Sequence, residues 1–523
     1  MLKYVIEPNN YRDSIVLMKI SRELEEIPNI DQVSVIMATE NNLRLLKDIG
    51  LYSDEMADAR PNDLIIAVSA HNEEEIDEAI QKAYTLLTTT TTTLKSHHIL
   101  PKTIQAALQR DPELNLALIS VAGPFAAREA RKALNLGMHV FLFSDNVPIN
   151  TEVELKTLAN EKGLLLMGPD CGTAIINNIA LGFANAIQQG SVGVIGASGT
   201  GIQQVTTLLS KHGISQAIGT GSRDLTEAVG GRTMLRAISL LDKDPKTKIM
   251  VIVSKPPAES IARKVLEHLE KATKPVVVNF LATDPKALSR PNIYPAETLE
   301  DAANMAIALL EGKTPHPTIF TETKDAIISL AHTASESLIS SQKYVRGVFA
   351  GGTFCSEAQW ILSKVIGITK SNISSDPALQ LKDSRQSEGH TVVDMGEDEF
   401  TAGRAHPMID PRLMINRLLQ ESKDEETAVL LFDVILGFGA HTDPGVELAN
   451  TIREIKTIVK KSGRDLPVVA TVCGTSSDPQ NLERQKTALM DTGVIIMPSN
   501  AQAARLATLI ASRRRAEPIL FGE

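Results

Sequence analysis

The stretch VGVIGASGTGIQQV, residues 192–205, decides the fold. It begins as a continuous apolar run, which is typical of a strand buried on both faces of a parallel sheet. Small residues fill positions 196–201, and a helical pattern follows, so the stretch predicts strand, tight turn and helix. The unpaired N–H groups and the dipole of such a helix start attract anions, and glycines let a ligand approach the backbone.

The turn matches neither of the two common nucleotide motifs. Gly196, Gly199 and Gly201 do not have the GxGxxG spacing of a dinucleotide site. The lysine of a P-loop is also missing, because Ile202 follows Gly201. A phosphate or similar anion therefore fits better than a dinucleotide or a nucleoside triphosphate. The predicted phosphate-binding residues of this turn are Gly196, Ser198, Gly199 and Thr200.

The same strand–turn–helix pattern recurs along the chain as VAGPFAA (121–127), FAGGTF (349–354), LGFGAHTD (436–443) and TVCGTSSD (471–478). Parallel α/β proteins need tight turns even where nothing binds, so each turn has a packing interpretation beside the binding one. Strands and helices alternate around these turns, which predicts parallel sheets built from βαβ units.

The predicted fold class is α/β, with four domains. Residues 1–95 form a small α/β unit, for which a ferredoxin-like arrangement is one option, and end in the linker-like run TTTTTTL at 88–94. Residues 96–190 form a Rossmann-like domain of the CoA-binding type, and residues 191–315 form a flavodoxin-like domain. A polar stretch at 313–343, part of which has a helical pattern, precedes a second flavodoxin-like domain at 343–515.

Composition excludes several classes of protein. The chain has 523 residues, a net charge of −10 and only 4% aromatic residues, which argues against nucleic-acid binding. Its three cysteines are far apart, and no Cys/His cluster predicts a metal site. No secretory signal or apolar run of membrane-spanning length is visible. We expect a cytoplasmic protein without a membrane or nucleic-acid partner.

Several single residues are candidates for chemistry. Cys171, in GPDCGT, is a possible nucleophile, although a structural thiol in a packed turn is the favoured interpretation. Arg223 is placed to hold a carboxylate or phosphate, with a surface contact to Asp224 as the alternative. The loop GRAHPMIDP (403–411) carries Arg404 and His406.

His441 follows the glycines of the 436–443 turn and is a candidate proton donor or phosphate contact. A surface histidine without a catalytic role is the alternative. Loop 403–411 likewise has a structural interpretation.

The motifs ISVAGPFAAREA, MGPDCGTAI, GVIGASGTGIQ, GVFAGGTFCSEA and VILGFGAHTD occur in the order of the succinyl-CoA synthetase α chain followed by the C-terminal β-chain domain. The chain resembles more closely the FdrA family of fused, acyl-CoA synthetase-like proteins. In the synthetases, a phosphorylated histidine lies between two helix starts. The resemblance places these at Ser198–Thr200 and at the phosphate-binding residues Gly437, Gly439 and Ala440.

This sequence departs from the synthetase pattern. No histidine occurs between His268 and His316, where the phosphohistidine is expected. The strand end VSKPPAES has no counterpart of the supporting glutamate, and the N-terminal unit is too small for an ATP-grasp domain. The resemblance therefore implies the fold and the phosphate site without ATP-dependent CoA ligation.

The FdrA resemblance implies a subunit of an oxamate carbamoyltransferase, which converts oxalurate and phosphate into oxamate and carbamoyl phosphate in allantoin breakdown. It implies partner subunits, a homo-oligomer and no required cofactor, with coenzyme A as an alternative ligand. The expected roles are substrate binding by Arg223, Gly351 and Gly352, and catalysis by Arg404, His406 and His441. The alternatives are an acyl-CoA synthetase or CoA transferase with another phosphate acceptor, and a non-catalytic assembly subunit.

Overall fold

The structure, a computed structural model, describes residues 1–12, 14–25, 27–92, 101–401 and 404–522. It divides into two compact units. The first comprises Met1–Lys102 and Glu397–His406, and the second comprises Thr103–Gly396 and Pro407–Glu523. The last two positions of the run TTTTTTL, 93 and 94, lie outside the described residues.

The first unit is built on a three-stranded antiparallel sheet in the order β1–β3–β2. Its strands are β1 (Leu2–Glu7), β2 (Ile30–Met37) and β3 (Leu64–Ala70), and its helices are α1 (Ser14–Glu25), α2 (Glu40–Asp48) and α3 (Glu73–Thr92). A 3₁₀ turn spans Asp54–Asp58. Residues of β3 alternate between two buried clusters, with Ile66 in one and Ile65 in the other. The strand is therefore covered on both faces, which its apolar sequence favours.

The second unit begins with α4 (Ile104–Arg110) and a parallel sheet in the order β4–β5–β6. The elements of this βαβαβ segment are β4 (Leu116–Ile119), α5 (Gly123–Asn135), β5 (His139–Leu142), α6 (Ile149–Glu161) and β6 (Leu166–Met167). Pro124 stands in the first turn of α5, where its missing N–H costs no hydrogen bond. The order and direction of the strands agree with the predicted Rossmann-like pattern.

A seven-stranded sheet follows, in the order β13–β12–β11–β9–β10–β7–β8. Its strands are β7 (Thr173–Ile176), β8 (Ile179–Gly182), β9 (Gln189–Gly196), β10 (Ile214–Gly219), β11 (Ile249–Ser254), β12 (Val276–Phe280) and β13 (Ile293–Pro295). Its helices are α7 (Gly199–Leu208), α8 (Arg232–Lys243), α9 (Glu259–Leu269), α10 (Pro285–Leu288) and α11 (Leu299–Leu310). The β7–β8 hairpin pairs antiparallel with β10, although it precedes the predicted domain boundary at residue 190.

The last sheet has six parallel strands in the order β15–β16–β14–β17–β18–β19. They are β14 (Tyr344–Phe349), β15 (Thr369–Ser371), β16 (His390–Asp394), β17 (Thr427–Ile435), β18 (Val468–Cys473) and β19 (Ile495–Met497). The helices are α12 (Lys324–Ser335), α13 (Gly352–Ile366), α15 (Arg412–Lys423), α16 (Pro444–Lys461), α17 (Leu482–Met490), α18 (Asn500–Ala511) and α19 (Glu517–Phe521), with α14 (Asp398–Thr401) in the first unit.

These sheets confirm the predicted α/β class. All nine residues of β17 are buried, as expected for a central strand with helices on both faces. The polar stretch at 313–343 contains the helix α12, where the sequence had a helical pattern. Within the part of the chain that the structure describes, no helix is long and apolar enough to cross a lipid bilayer.

Candidate functional site

The turn quoted at the outset joins β9 to α7. Gly196 is the last residue of β9, and a Cβ built on it would lie 2.7 Å from Ile202 Cγ1, so a glycine is needed for the helix to pack closely on the strand. Ser198 caps α7, because its Oγ accepts a hydrogen bond of 3.0 Å from the Gly201 N–H. The first turn of α7 has no acidic residue.

The start of α13 lies directly against this turn. The hydroxyls of Ser198 and Thr353 are hydrogen-bonded, and the Thr353 N–H donates to Thr200 Oγ1 at 3.4 Å. A Cβ built on Gly351, the N-cap of α13, would lie 3.2 Å from Thr200 Cγ2. The N-termini of α7 and α13, which follow strands of two different sheets, therefore meet. Among the described residues, none accepts a hydrogen bond from the N–H groups of Gly199, Thr200 or Gly352.

The predicted partner turn at 436–443 lies against α7, because Gln203 Nε2 donates to the Leu436 carbonyl at 3.4 Å, and its role as the second half of the clamp stays a prediction. The helix that follows it starts only at Pro444. The Gly437 N–H donates to Gln480 Oε1 at 3.1 Å, and the Ala440 N–H donates to the Gly437 carbonyl at 3.4 Å. The N–H groups of Gly437 and Ala440 thus have acceptors inside the protein.

The glycines of that turn have a conformational explanation. Gly437 has φ 116° and Gly439 has φ 81°, which favours glycine at both positions. A Cβ on Gly439 would also lie 3.0 Å from the ring of Phe183. Thr353, which sequence reasoning missed, takes the place facing Ser198.

Two carboxylates lie at the start of α13. Asp433, on β17, accepts hydrogen bonds from the N–H groups of Ala350 at 2.8 Å and Gly351 at 2.9 Å. It is fully buried, and burial raises the pKa of its carboxyl to about 7. Asp394 ends β16, and a Cβ built on Gly352 would collide with its Oδ2. A Cβ on Gly351 or Gly352, the glycines predicted to bind substrate, would thus lie against a carboxylate oxygen of Asp433 or Asp394.

A lysine completes this group. Lys255 follows β11, and its Nζ lies 3.3 Å from the position of a Cβ on Gly352. The side chain is half-buried and makes no ion pair with any residue that the structure describes. Ligands in α/β proteins bind at the carboxyl ends of parallel strands. The position of Lys255 just after a predicted strand, in VSKPPAES, is therefore the sequence signal that could have identified it as a site residue.

Arg223, predicted to bind the substrate, is held by other groups. Its guanidinium pairs with the buried Glu152 at 2.9 Å and donates to the Val147 carbonyl at 2.7 Å. The alternative contact with Asp224 is replaced by a buried ion pair of 2.7 Å between Lys156 and Asp224. These pairs connect α6 to the segment between β10 and α8, which is a structural role.

The predicted catalytic residues belong to different compact units of the chain. His441 is only 10% exposed; its Nε2 lies 3.2 Å from Glu447 Oε1, and its Nδ1 accepts the Asp443 N–H at 3.1 Å. Arg404 is exposed. Both Arg404 and His406 belong to the first unit. Burial lowers the pKa of His406 to about 4, so the ring is neutral at physiological pH. Gly403, which opens their loop, lies outside the described residues. Their catalytic roles stay predictions.

The cysteines are not poised as nucleophiles. All three are buried and free of disulfides. Burial raises the pKa of Cys171 to about 12, which agrees with the structural interpretation of that thiol.

Three family models match the chain. The model described as CoA-ligase matches residues 348–510, and that of a CoA binding domain matches residues 187–282. The second match falls on the segment predicted as flavodoxin-like, whereas the CoA-binding type was predicted for residues 96–190. The model described as "AllF, heavy metal-associated domain" matches residues 1–99.

The residues of this last segment do not fit a soft heavy metal. Such metals are held by thiolates, and positions 1–99 contain no cysteine. Among the described residues, no group of three or more His, Cys, Asp or Glu side chains is arranged to hold a metal ion.

The uncharacterized protein YahF of Escherichia coli is 43% identical to this chain over 508 residues, which cover 97% of this chain and 98% of YahF. Subunit alpha 2 of the ADP-forming succinate–CoA ligase of Archaeoglobus fulgidus is 26% identical over 39% of this chain and 75% of its own length. Among solved structures, the ATP citrate lyase of Methanothrix soehngenii in complex with citrate and coenzyme A aligns with 80% of this chain and 84% of its own, at 12% identity and a TM-score of 0.33. The relationship rests on the sequence matches.

Proposed function

We propose that this chain, which belongs to the acyl-CoA synthetase-like family that includes YahF of Escherichia coli, is the phosphate-binding subunit of an oxamate carbamoyltransferase. The observation that carries this proposal is the meeting of two helix N-termini at Ser198 and Thr353, with the Lys255 ammonium beside them. Fixed N–H donors and a positive charge at one place favour an oxyanion.

The reaction balances without a covalent enzyme intermediate. An oxygen of hydrogen phosphate attacks the ureido carbonyl carbon of oxalurate, and a new C–O bond forms. The C–N bond to the oxamate nitrogen then breaks, and this nitrogen takes the proton that the phosphate loses. The products are carbamoyl phosphate and oxamate, and the reverse reaction retraces the same steps.

The chain's own residues contribute position and charge. The N–H groups of Gly199 and Thr200 bind the phosphate and fix the direction of its attack, and the α7 dipole stabilises its charge. No histidine is among the described residues in these contacts of the two turns, and the proposed reaction uses no phosphohistidine. The reaction needs no coenzyme A and no metal ion. Other subunits of the complex supply the catalytic groups that this chain does not provide.

An acyl-CoA synthetase is the second candidate, and the CoA-ligase and CoA-binding matches favour it. It requires a phosphate acceptor on the enzyme. Incubation with labelled ATP, or with succinyl-CoA and labelled phosphate, separates the two candidates, because only the synthetase forms a stable phosphoprotein.

The direct test is release of phosphate and formation of oxalurate from carbamoyl phosphate and oxamate by the complex purified with its partner subunits. The Gly352→Ala variant brings a Cβ into Asp394 and next to Lys255, so the rate should fall at least tenfold. Gly172→Ala is the matched control, because its Cβ meets nothing within 4 Å and its φ is not positive. Wild-type complex that makes no oxalurate, or a Gly352→Ala variant with full activity, contradicts the proposal.

A further inference from the structure

A buried group of three carboxyl side chains lies inside the second unit, where helices of the two larger sheets meet. Glu300 and Asp301 are in the first turn of α11, which follows β13 of the seven-stranded sheet. Glu357 is in α13, which follows β14 of the six-stranded sheet. All three are buried, with exposed fractions of 2% or less. We call these three residues the carboxyl cluster.

Hydrogen bonds of the carboxyl cluster connect α11 to two helices of the six-stranded sheet. Gln502 of α18 donates through Nε2 to Glu300 Oε1 at 2.6 Å. The Leu299 N–H, at the start of α11, donates to Glu357 Oε1 at 2.8 Å. Asn500, at the start of α18, donates through Nδ2 to Glu357 Oε2 at 2.8 Å. The cluster is therefore a joint between the two sheets.

One oxygen of the cluster has no donor. Both carboxyl oxygens of Asp301 accept hydrogen bonds, and so do both of Glu357. Glu300 Oε2 is buried and accepts none from the residues that the structure describes, and the same is true of Asn500 Oδ1 beside it in the network. Buried acceptors without donors are costly, so the cluster is short of hydrogen. Glu300 Oε2 is the carboxyl oxygen with room for a proton.

The neighbouring elements supply little compensating charge. Helix α11 packs against α7, β11 and β12, whose residues include no charged side chain. Helix α13 contributes Glu357 and also Lys364, which pairs instead with the partly exposed Glu297. Helix α18 contributes Arg505 alone. Three carboxyl groups thus share one guanidinium, and burial raises the pKa of Glu300 to about 7.

We propose that the carboxyl cluster is a proton-dependent joint between the seven-stranded and six-stranded sheets, closed while Glu300 is protonated and weakened when Glu300 ionises. A protonated Glu300 still accepts from Gln502 through Oε1 while Oε2 carries the proton. Ionisation adds a further negative charge to a buried group that has one cation, so α11 separates from α18 more often. This joint requires neither phosphate nor a carbamoyl group.

Hydrogen–deuterium exchange of the full chain, followed by mass spectrometry between pH 5 and 8, measures how often the joint opens. In the open form Glu300 meets water and regains an ordinary pKa near 4.5. Only the open form then loses its proton between pH 4.5 and about 7, so opening increases with pH in this range and levels off above it. We expect exchange in peptides that cover α11 and α18, corrected for the intrinsic rate, to rise by a factor of about ten or more from pH 5 to 7.

Glu300→Gln keeps the size of the side chain and an oxygen that accepts from Gln502, but it cannot ionise. The rise in exchange should therefore be smaller in this variant than in wild type, by a factor of about three or more. Glu267→Gln, the same substitution at an exposed position of α9, is the matched control and should keep the wild-type rise.

Arg505→Gln tests the joint if Glu300→Gln does not fold. Loss of this cation disfavours ionised Glu300, so exchange should level off at a pH higher by roughly half a unit or more. Wild-type exchange that does not rise with pH, equal rises in wild type and Glu300→Gln, or an unchanged levelling-off in Arg505→Gln overturns the proposed joint. None of these results bears on carbamoyl transfer, which is assayed separately.

Discussion

From the hydrogen bond between Ser198 and Thr353 we predict how much the contact between α7 and α13 contributes to the free energy of unfolding. Ser198→Ala removes the cap of α7, which costs about 1 kcal/mol. It also leaves the Thr353 hydroxyl, on a residue that is 3% exposed, without its partner, which costs a further ~1–3 kcal/mol. We therefore expect the free energy of unfolding to fall by roughly 2–4 kcal/mol.

Thr353→Val removes the partner hydroxyl while Ser198 still caps α7. In the Thr353→Val background, loss of the Ser198 hydroxyl no longer leaves a buried hydroxyl without its hydrogen-bond partner. The double variant should consequently cost about 1–3 kcal/mol less than the sum of the single variants. Such a coupling energy measures the contact itself, because the capping term cancels in the cycle.

Urea unfolding followed by the fluorescence of Trp360 is a suitable assay, since this is the only tryptophan of the chain and lies in α13. The transition that Trp360 reports is compared across the four proteins, because a chain of several domains need not unfold in one step. Ser198→Ala combined with Thr323→Ala, which removes the N-cap of α12, serves as the control and should be additive. If Ser198 and Thr353 are also additive within about 0.3 kcal/mol, the reasoning about the joined turns is refuted.

Three further predictions follow from buried groups. Burial raises the pKa of Asp433 from 3.8 to about 7. The free energy of unfolding should therefore fall by up to about 4 kcal/mol as the pH rises from about 4 to 7, because the unfolded chain loses this proton first. Urea unfolding across this range should show a weaker pH dependence for Asp433→Asn than for wild type. Lys156→Met leaves the carboxylate of Asp224 buried without its counter-charge and should destabilise by about 3–5 kcal/mol, measured by thermal unfolding. Gly123→Ala places a Cβ 2.7 Å from the Asn146 carbonyl oxygen of a fixed backbone and should reduce the yield of folded protein, whereas the same substitution at Gly172 should cost less than about 0.5 kcal/mol.

The sequence was a good guide to the local elements of the site. The run 192–205 predicted β9, the turn and α7, because a doubly buried strand and an amphipathic helix have distinct patterns of apolar residues. It also identified Ser198, whose type and position match an N-cap. The glycines at 437 and 439 gave the same signal for a different physical reason, since they are required by left-handed backbone conformations. Composition cannot separate these two reasons.

What the sequence by itself determined is the α/β class, the succession of strands and helices, and the set of small-residue turns at their junctions. Those features depend on local periodicity and turn chemistry. Only the tertiary structure decided which turn faces which, that Thr353 rather than Gly437 meets Ser198, and that Lys255 and Asp394 flank one glycine. The Ser198–Thr353 contact joins residues 155 positions apart. Such pairings depend on how two sheets pack, which no local pattern encodes.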